Sequence, residues 1–407
     1  MDGPSAVELV ARTVRVDALD SGSAPTSFSS PKRSLRGHGV AAVIELPAPW
    51  PDHIDLVEKV LATIDIDDEV RLPGSGPVAF GALPFDRRAP ATLLVPAVIL
   101  GTTADGERWR TTIAGCDTTP LSAPLTAPAR AVDRPRSITV TSTQDAADWC
   151  AIVESARARI AAGALRKVVL ARCLEVTADQ PFDPTVIAER LAAAHPAALR
   201  YCIDGFVGAS PELLVSRIGD QVRAQPMAGT TPRSGDPTRD ARRAAELMLS
   251  EKNRVEYQIT IDAVHDALLG WCSYLDAEPQ PSVVHAGSVQ HLATLVEGRL
   301  SHPIPNVLEL VAALHPTPAV GGSPDASAIA LIGELESVSR GRYAGPVGWV
   351  DSQGNGAWAV GLRSAQIIGR TATLFAGVGV VADSDPLAEL AETEAKFAAT
   401  LPHLVTL

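Results

Sequence analysis

A few ionisable residues sit where an apolar or tightly turning chain gives them little reason to be. Lys167 opens the β-branched run KVVLAR (167–172), Glu212 follows the turn Gly208-Ala-Ser-Pro211, and Arg363 interrupts AWAVGLRSAQII. Glu256 lies inside the helical pattern SEKNRVEYQITIDAV, and Glu389, Glu392 and Lys396 follow one another at i, i+3 and i, i+4 in LAELAETEAK. Each type has a plain role and a chemical one. Lys167 is either a strand-edge cation with its ammonium in water or a lysine facing a lined cavity, where desolvation lowers its pKa and makes it a usable base. Glu212 either solvates a turn or serves as a general acid whose pKa burial has raised. The Glu389, Glu392 and Lys396 face is either a solvated ladder worth a few tenths of a kcal/mol or, with Glu256, part of a hard-cation site. An unpaired guanidinium on a central strand is costly, so Arg363 needs an anion, from the protein or from a ligand. One base and one acid on opposing strands would suit a displacement that removes a proton at one carbon and protonates a leaving group at another.

Several elements must position these groups. A helix is expected across 143–162, capped by Thr143 or Asp145, and KVVLAR reads as a strand. A second helix is expected over roughly 237–270, from Asp236-Pro237 to Gly270, and a third over roughly 386–401, with Asp385 as cap, Pro386 at the first position and Pro402 just beyond the end. Between them SVVHAGSVQHLATLVEGRL, AGPVGWVDS, AWAVGLRSAQII and TATLFAGVGVVA read as strands. Before residue 130, PGSGP (73–77) and Pro84-Phe85-Asp86 punctuate short β runs such as AAVIEL and ATLLVPAVIL, and LSAPLTAPARAVDRPRS (121–137) reads as a surface connection. Strands grouped with strands, and long helices outside them, point to an α+β fold.

Composition narrows the partners. The chain has 407 residues, 46% apolar and 20% charged, ample for a large core in an ordinary globular protein. Its 35 Lys+Arg against 47 Asp+Glu leave −12, which argues against nucleic acid or an anionic membrane as the main partner. Five widely spaced cysteines without a C-x-x-C pair, Cys116 among them, exclude a disulfide framework and a thiolate zinc site. The acidic N-terminus differs from a basic signal peptide, and no apolar run approaches a membrane span. A cytoplasmic protein is expected. Gly377-Val-Gly379-Val-Val-Ala382 resembles a dinucleotide fingerprint only loosely, because no helix opens within it.

The ordered motifs KVVLAR (167–172), SPELL (210–214), PMAGTTPR (226–233), SEKNRVEY (250–257), HPTPAVGG (315–322), GPVGWVDSQGNGAWAVGLRSAQI (345–367) and FAGVGVVADSDPLAELAETEAK (375–396) resemble the chorismate-utilising enzymes, which make isochorismate, salicylate, anthranilate or aminodeoxychorismate. The resemblance is strong over 140–407 and extends more weakly to SPKRSLRGHG (30–39) and FGALPFD (80–86). It implies a two-lobed α+β fold, with large, mostly antiparallel sheets packed face to face and helices outside. An N-terminal part (1–135) and a chorismate-binding catalytic segment (140–407) would form one structural unit. It also implies chorismate as substrate and Mg²⁺ as cofactor. Carried onto this chain, Lys167 corresponds to the water-activating base and Glu212 to the acid for the departing 4-hydroxyl. Glu256 and Glu392 correspond to Mg²⁺ ligands, with Glu389 reaching the ion through water. Ala228, Gly229, Thr230 and His291 would line the ring-carboxylate side, and Ala319 would be a further substrate-binding residue. Tyr343, Arg363, Lys396 and Gly377 would hold the enolpyruvyl carboxylate.

Within that family, ammonia-using members do not keep the lysine of KVVLAR and depend on a glutaminase, whose G-x-C-x-G motif is missing here. HPTPA (315–319) resembles the isochorismate-forming members, while Val320-Gly321 departs from their more frequent Leu-Ser. The activity implied is reversible conversion of chorismate to isochorismate, ahead of menaquinone or siderophore assembly, without a glutaminase subunit; salicylate formation is the alternative. No heptad seam or partner-docking helix is visible, and a monomer is expected.

Overall fold

A computed structural model of the chain describes residues 8–19, 24–115, 135–287 and 289–405. Cys116 and most of the expected connection at 121–137 lie outside those residues. The described residues form a thirteen-stranded sheet, a nine-stranded sheet and a small sheet of three strands. Among the described residues the strand pairings are antiparallel except that of Val10–Arg15 with Asp65–Asp68. The fold is α+β, with strands from both ends of the chain in each of the two large sheets. Among the described residues, no helix is long and apolar enough to cross a membrane.

Alternation in the sequence sets which face each strand buries. In Arg108–Ala114 the residues Trp109, Thr111 and Ile113 turn inward while the arginines and Thr112 face out. Trp109 joins Phe28, Leu35, Ile99, Tyr201 and Phe206 from the large sheet against Phe80, Val347 and Trp349 from the second, so the two sheets pack face to face over one apolar layer. On the other face of the large sheet, Val207, Ala365, Ile367 and Leu374 lie under Ile187 and Leu191 of the helix Pro184–Ala194.

The strand opened by KVVLAR runs from Lys167 to Ala178, and its first eight residues are buried on both faces before alternation resumes. That double burial keeps Lys167 out of water. Asp145 caps the helix Ala146–Ala161 by accepting from the Asp148 N–H, and Asp385 caps Pro386–Phe397 by accepting from the Ala388 N–H.

Two helix expectations need correction. The helix expected over 237–270 is two, Pro237–Leu249 and Glu251–Leu269. Ser250 between them is extended (ψ 118°) and accepts from the Asn253 N–H, so its hydroxyl caps a new helix instead of continuing the old one. The helix expected over 386–401 ends at Phe397, and Pro402 lies within a second short helix, Leu401–Val405. In a first turn the missing proline N–H costs nothing.

Candidate active site

Glu212 stands where the chain leaves one sheet for the other, between Phe206–Ser210 of the large sheet and Leu213–Ile218 of the second. Its N–H donates to Ser210 Oγ at 3.2 Å and its carbonyl accepts from Val360 N–H at 3.1 Å, so the backbone is fixed on both sides. The side chain is 3% exposed. Burial pushes its carboxyl up to about 8, against the opposing influence of the Met227 N–H and the charges of Lys167 and Arg363. Glu212 is therefore largely protonated at neutral pH.

Lys167 is fully buried, which excludes the solvated-edge reading. Its ammonium lies 2.9 Å from Glu256 Oε1, and Nζ has no hydrogen bond of good geometry. Glu256 comes from the helix Glu251–Leu269, and Glu392 with Lys396 from Pro386–Phe397. Lys396 pairs with Glu392 at 2.6 Å and donates to the Gly377 carbonyl at 2.7 Å. The ladder expected on this helix is thus turned inward. Glu389, one turn earlier, is buried at 3% exposure but does not line the cavity.

Arg363 has a left-handed backbone (φ 49°) and is 8% exposed. Its Nη2 donates to His291 Nε2 at 3.1 Å, while Nε has no partner among the described residues. Burial holds this guanidinium below its ordinary value, although Tyr343, Glu392 and Glu212 oppose the shift. A guanidinium can only donate, so His291 Nε2 accepts and the ring proton sits on Nδ1, facing the Gly229 carbonyl at 3.2 Å. Burial and the Arg363 and Lys396 charges hold His291 well below its usual range, so it stays neutral. No carboxylate contacts Arg363 among the described residues' ion pairs, and an anionic ligand would complete it.

The structure gathers Glu212, Thr230, Glu256, His291, Ala319, Tyr343, Arg363, Gly377, Glu392 and Lys396 around one cavity. Lys167 meets it through Glu256, and Gly229 (φ 73°) lies behind His291. Two glycines permit the close approach: a Cβ at Gly377 would lie 3.0 Å from the Tyr343 hydroxyl, and one at Gly379 would overlap Glu256 and reach 3.0 Å from Lys167 Cε. Met227, Arg340, Leu362 and Gly379 also line the cavity and were not singled out in the sequence. Apolar wall residues carry no signal apart from their neighbours in space, and Arg340 reads as an ordinary surface cation near Glu336.

The chorismate binding enzyme family model matches residues 26–405. The chain belongs to the chorismate-binding enzymes. A Mycobacterium tuberculosis protein provisionally named isochorismate synthase MenF is 42% identical to this chorismate-binding enzyme over 346 residues, 81% of this chain and 87% of the relative. Isochorismate synthase DhbC of Bacillus subtilis is 36% identical over 91% of each chain. The menaquinone-specific isochorismate synthase of Escherichia coli has the same fold, with a TM-score of 0.82, 22% identity and coverage of 99% of this chain and 96% of that one.

Proposed function

We propose that this enzyme is an isochorismate synthase, adding water at C2 of chorismate and expelling the C4 hydroxyl. The observation that carries the reading is a buried Glu212 facing, across one cavity, the Glu256 carboxylate that holds Lys167, in a chain akin to named isochorismate synthases along most of its length. Chorismate is a dianion. Arg363 and Lys396, with Tyr343 and Gly377, would hold the enolpyruvyl carboxylate, and Thr230 and His291 with Gly229 and Ala228 would face the ring carboxylate. As Lys167 leaves Glu256 it would release its own proton to solvent, and the neutral amine would take a proton from the attacking water; the ring double bonds would shift, and Glu212 would protonate the departing hydroxyl. In the reverse direction the two exchange roles.

Among the described residues no three His, Cys, Asp or Glu side chains converge into a ready-made metal cage. Glu256 and Glu392 instead present two carboxylates from separate helices to one cavity, an all-oxygen set that leaves positions for water and substrate and fits Mg²⁺. These two would hold the ion, with Glu389 behind them, and when bound it would supply Lewis-acid charge against the ring carboxylate. Activity should fall to background in EDTA and return with added Mg²⁺; turnover that ignores the chelator would remove the metal from the account.

Incubation with chorismate and Mg²⁺, products separated by chromatography, tests the function. Isochorismate is expected, and salicylate in its place would move the enzyme to the salicylate-forming branch. Water as nucleophile needs no amide-donating subunit. Gly379→Ala should lower kcat about 100-fold or more in a folded protein, because its Cβ displaces Glu256 and Lys167 together. Near-normal kinetics for that variant would show that this carboxylate and amine are placed more loosely than the reaction needs.

A further inference from the structure

The strand Lys167–Ala178 is paired continuously from Val168 to Thr177 with Thr371–Val380 on one edge only. On the other edge Gly322–Ser323 covers Lys167 and Val168, and Ile138–Ser142 covers Leu174 to Ala178. Between them residues 169–173 have no neighbouring strand among the described residues, although all are buried. A buried ladder edge without a partner is costly. Backbone closes the two ends of the gap, the Val169 N–H donating to the Gly321 carbonyl at 2.8 Å and the Thr143 N–H to the Cys173 carbonyl at 3.2 Å, and side chains fill what lies between. Arg340 Nη2 donates to the Val169 carbonyl at 2.7 Å, Glu336 Oε1 accepts from the Ala171 N–H at 2.8 Å, and the Thr143 hydroxyl donates to the Cys173 carbonyl at 3.2 Å.

We propose that Arg340 and Glu336 are positioning residues: a buried ion pair standing in for the missing strand, which holds the Lys167 strand against the loop bearing Ala319 and Val320. The two side chains are 2% and 7% exposed and meet through Nε–Oε2 at 2.9 Å and Nη2–Oε1 at 2.5 Å. Arg340 Nη1 also donates to the Val320 carbonyl at 2.8 Å, so one guanidinium spans both walls where the strand and the loop diverge. Phe85 lies under its plane, 4.4 Å from ring centroid to guanidinium carbon. Val169 and Val320, the two residues whose carbonyls it holds, both line the cavity, and Val169 shares a strand face with Lys167. Arg340 touches the cavity too, but Glu336 neutralises it and backbone carbonyls occupy its fork. The Arg363 guanidinium differs, meeting only His291 among the described residues. The pair thus sets geometry and leaves the substrate's charge to Arg363 and Lys396.

This role rests on the proposed isochorismate synthase activity for its kinetic readout. Arg340→Lys keeps a charge opposite Glu336 but cannot span both carbonyls. Its kcat should fall about tenfold to 100-fold with KM for chorismate within about threefold, because the binding cations are untouched and only the base strand shifts. Arg340→Gln should lose more, and where it does not fold the lysine variant is read alone. A lysine variant with kcat per folded molecule within about threefold of wild type would overturn the proposal. Wild type assayed alongside separates the two ideas, since an inactive wild type sinks the function and leaves hydrogen exchange to judge the clamp. Amides in the 167–173 peptide should then exchange about tenfold faster in Arg340→Lys than in wild type, and equal rates would overturn it.

Discussion

Glu212→Gln should lower kcat by about 10²- to 10⁴-fold and yet melt at a higher temperature than wild type at pH 8. The two effects have one cause. Glu212 is an acid at neutral pH because its site refuses the charge: the carboxyl lies near 4.5 in an unfolded chain and is raised to about 8 in the fold, chiefly by burial. Between those values the folded protein holds a proton that the unfolded chain releases. Stability is therefore fully present below pH 4.5 and declines as pH rises through about 8. At pH 7 the cost is on the order of 3 kcal/mol. Glutamine cannot ionise, so the variant escapes the penalty while losing the proton the leaving hydroxyl needs. Melting curves of both proteins should coincide near pH 4 and diverge by pH 8. A variant that is inactive but no more stable at pH 8 would contradict the buried acid. In wild type, forward turnover should decline as pH passes about 8.

Lys167→Ala should cost a similar factor in kcat and, unlike the glutamine variant, destabilise the protein. Removing the amine takes the counter-charge from Glu256, whose side chain is only 13% exposed, and leaves a void beside a carboxylate. The double variant Lys167→Ala, Glu256→Gln should recover much of the melting temperature and none of the turnover. That contrast separates loss of a base from loss of fold. Retention by Lys167→Ala of more than about a tenth of wild-type kcat would show that another group activates the water.

The sequence made some of this legible and hid the rest, for reasons particular residues show. Asp385-Pro386 and Asp145 announced their helices because capping is local chemistry, and both cap as expected. The break at Ser250 was invisible in the periodicity on either side, since a serine is a cap or a helix interior depending on its own backbone. From spacing alone Lys167 could face water or a cavity, and Glu392 with Lys396 could be a solvated ladder. Only packing of the large sheet and the last long helix decides that both are turned inward. The ordered motifs made the family readable where single residues did not. Arg340 and Glu336, at i, i+4 spacing, look in sequence like any helical ion pair. Their role depends on a gap in a strand edge more than 160 residues away, as the 165-residue separation of Ala171 from Glu336 illustrates.

Isotopic labelling in H₂¹⁸O bears most directly on how Lys167 and Glu212 cooperate. Chorismate turned over in labelled water should give isochorismate carrying ¹⁸O at C2, one atom per turnover, with the unlabelled C4 oxygen released to solvent. Product whose C2 oxygen is unlabelled, carried over from C4 within the molecule, would mean that no water is activated and that the paired base and acid have been assigned the wrong work.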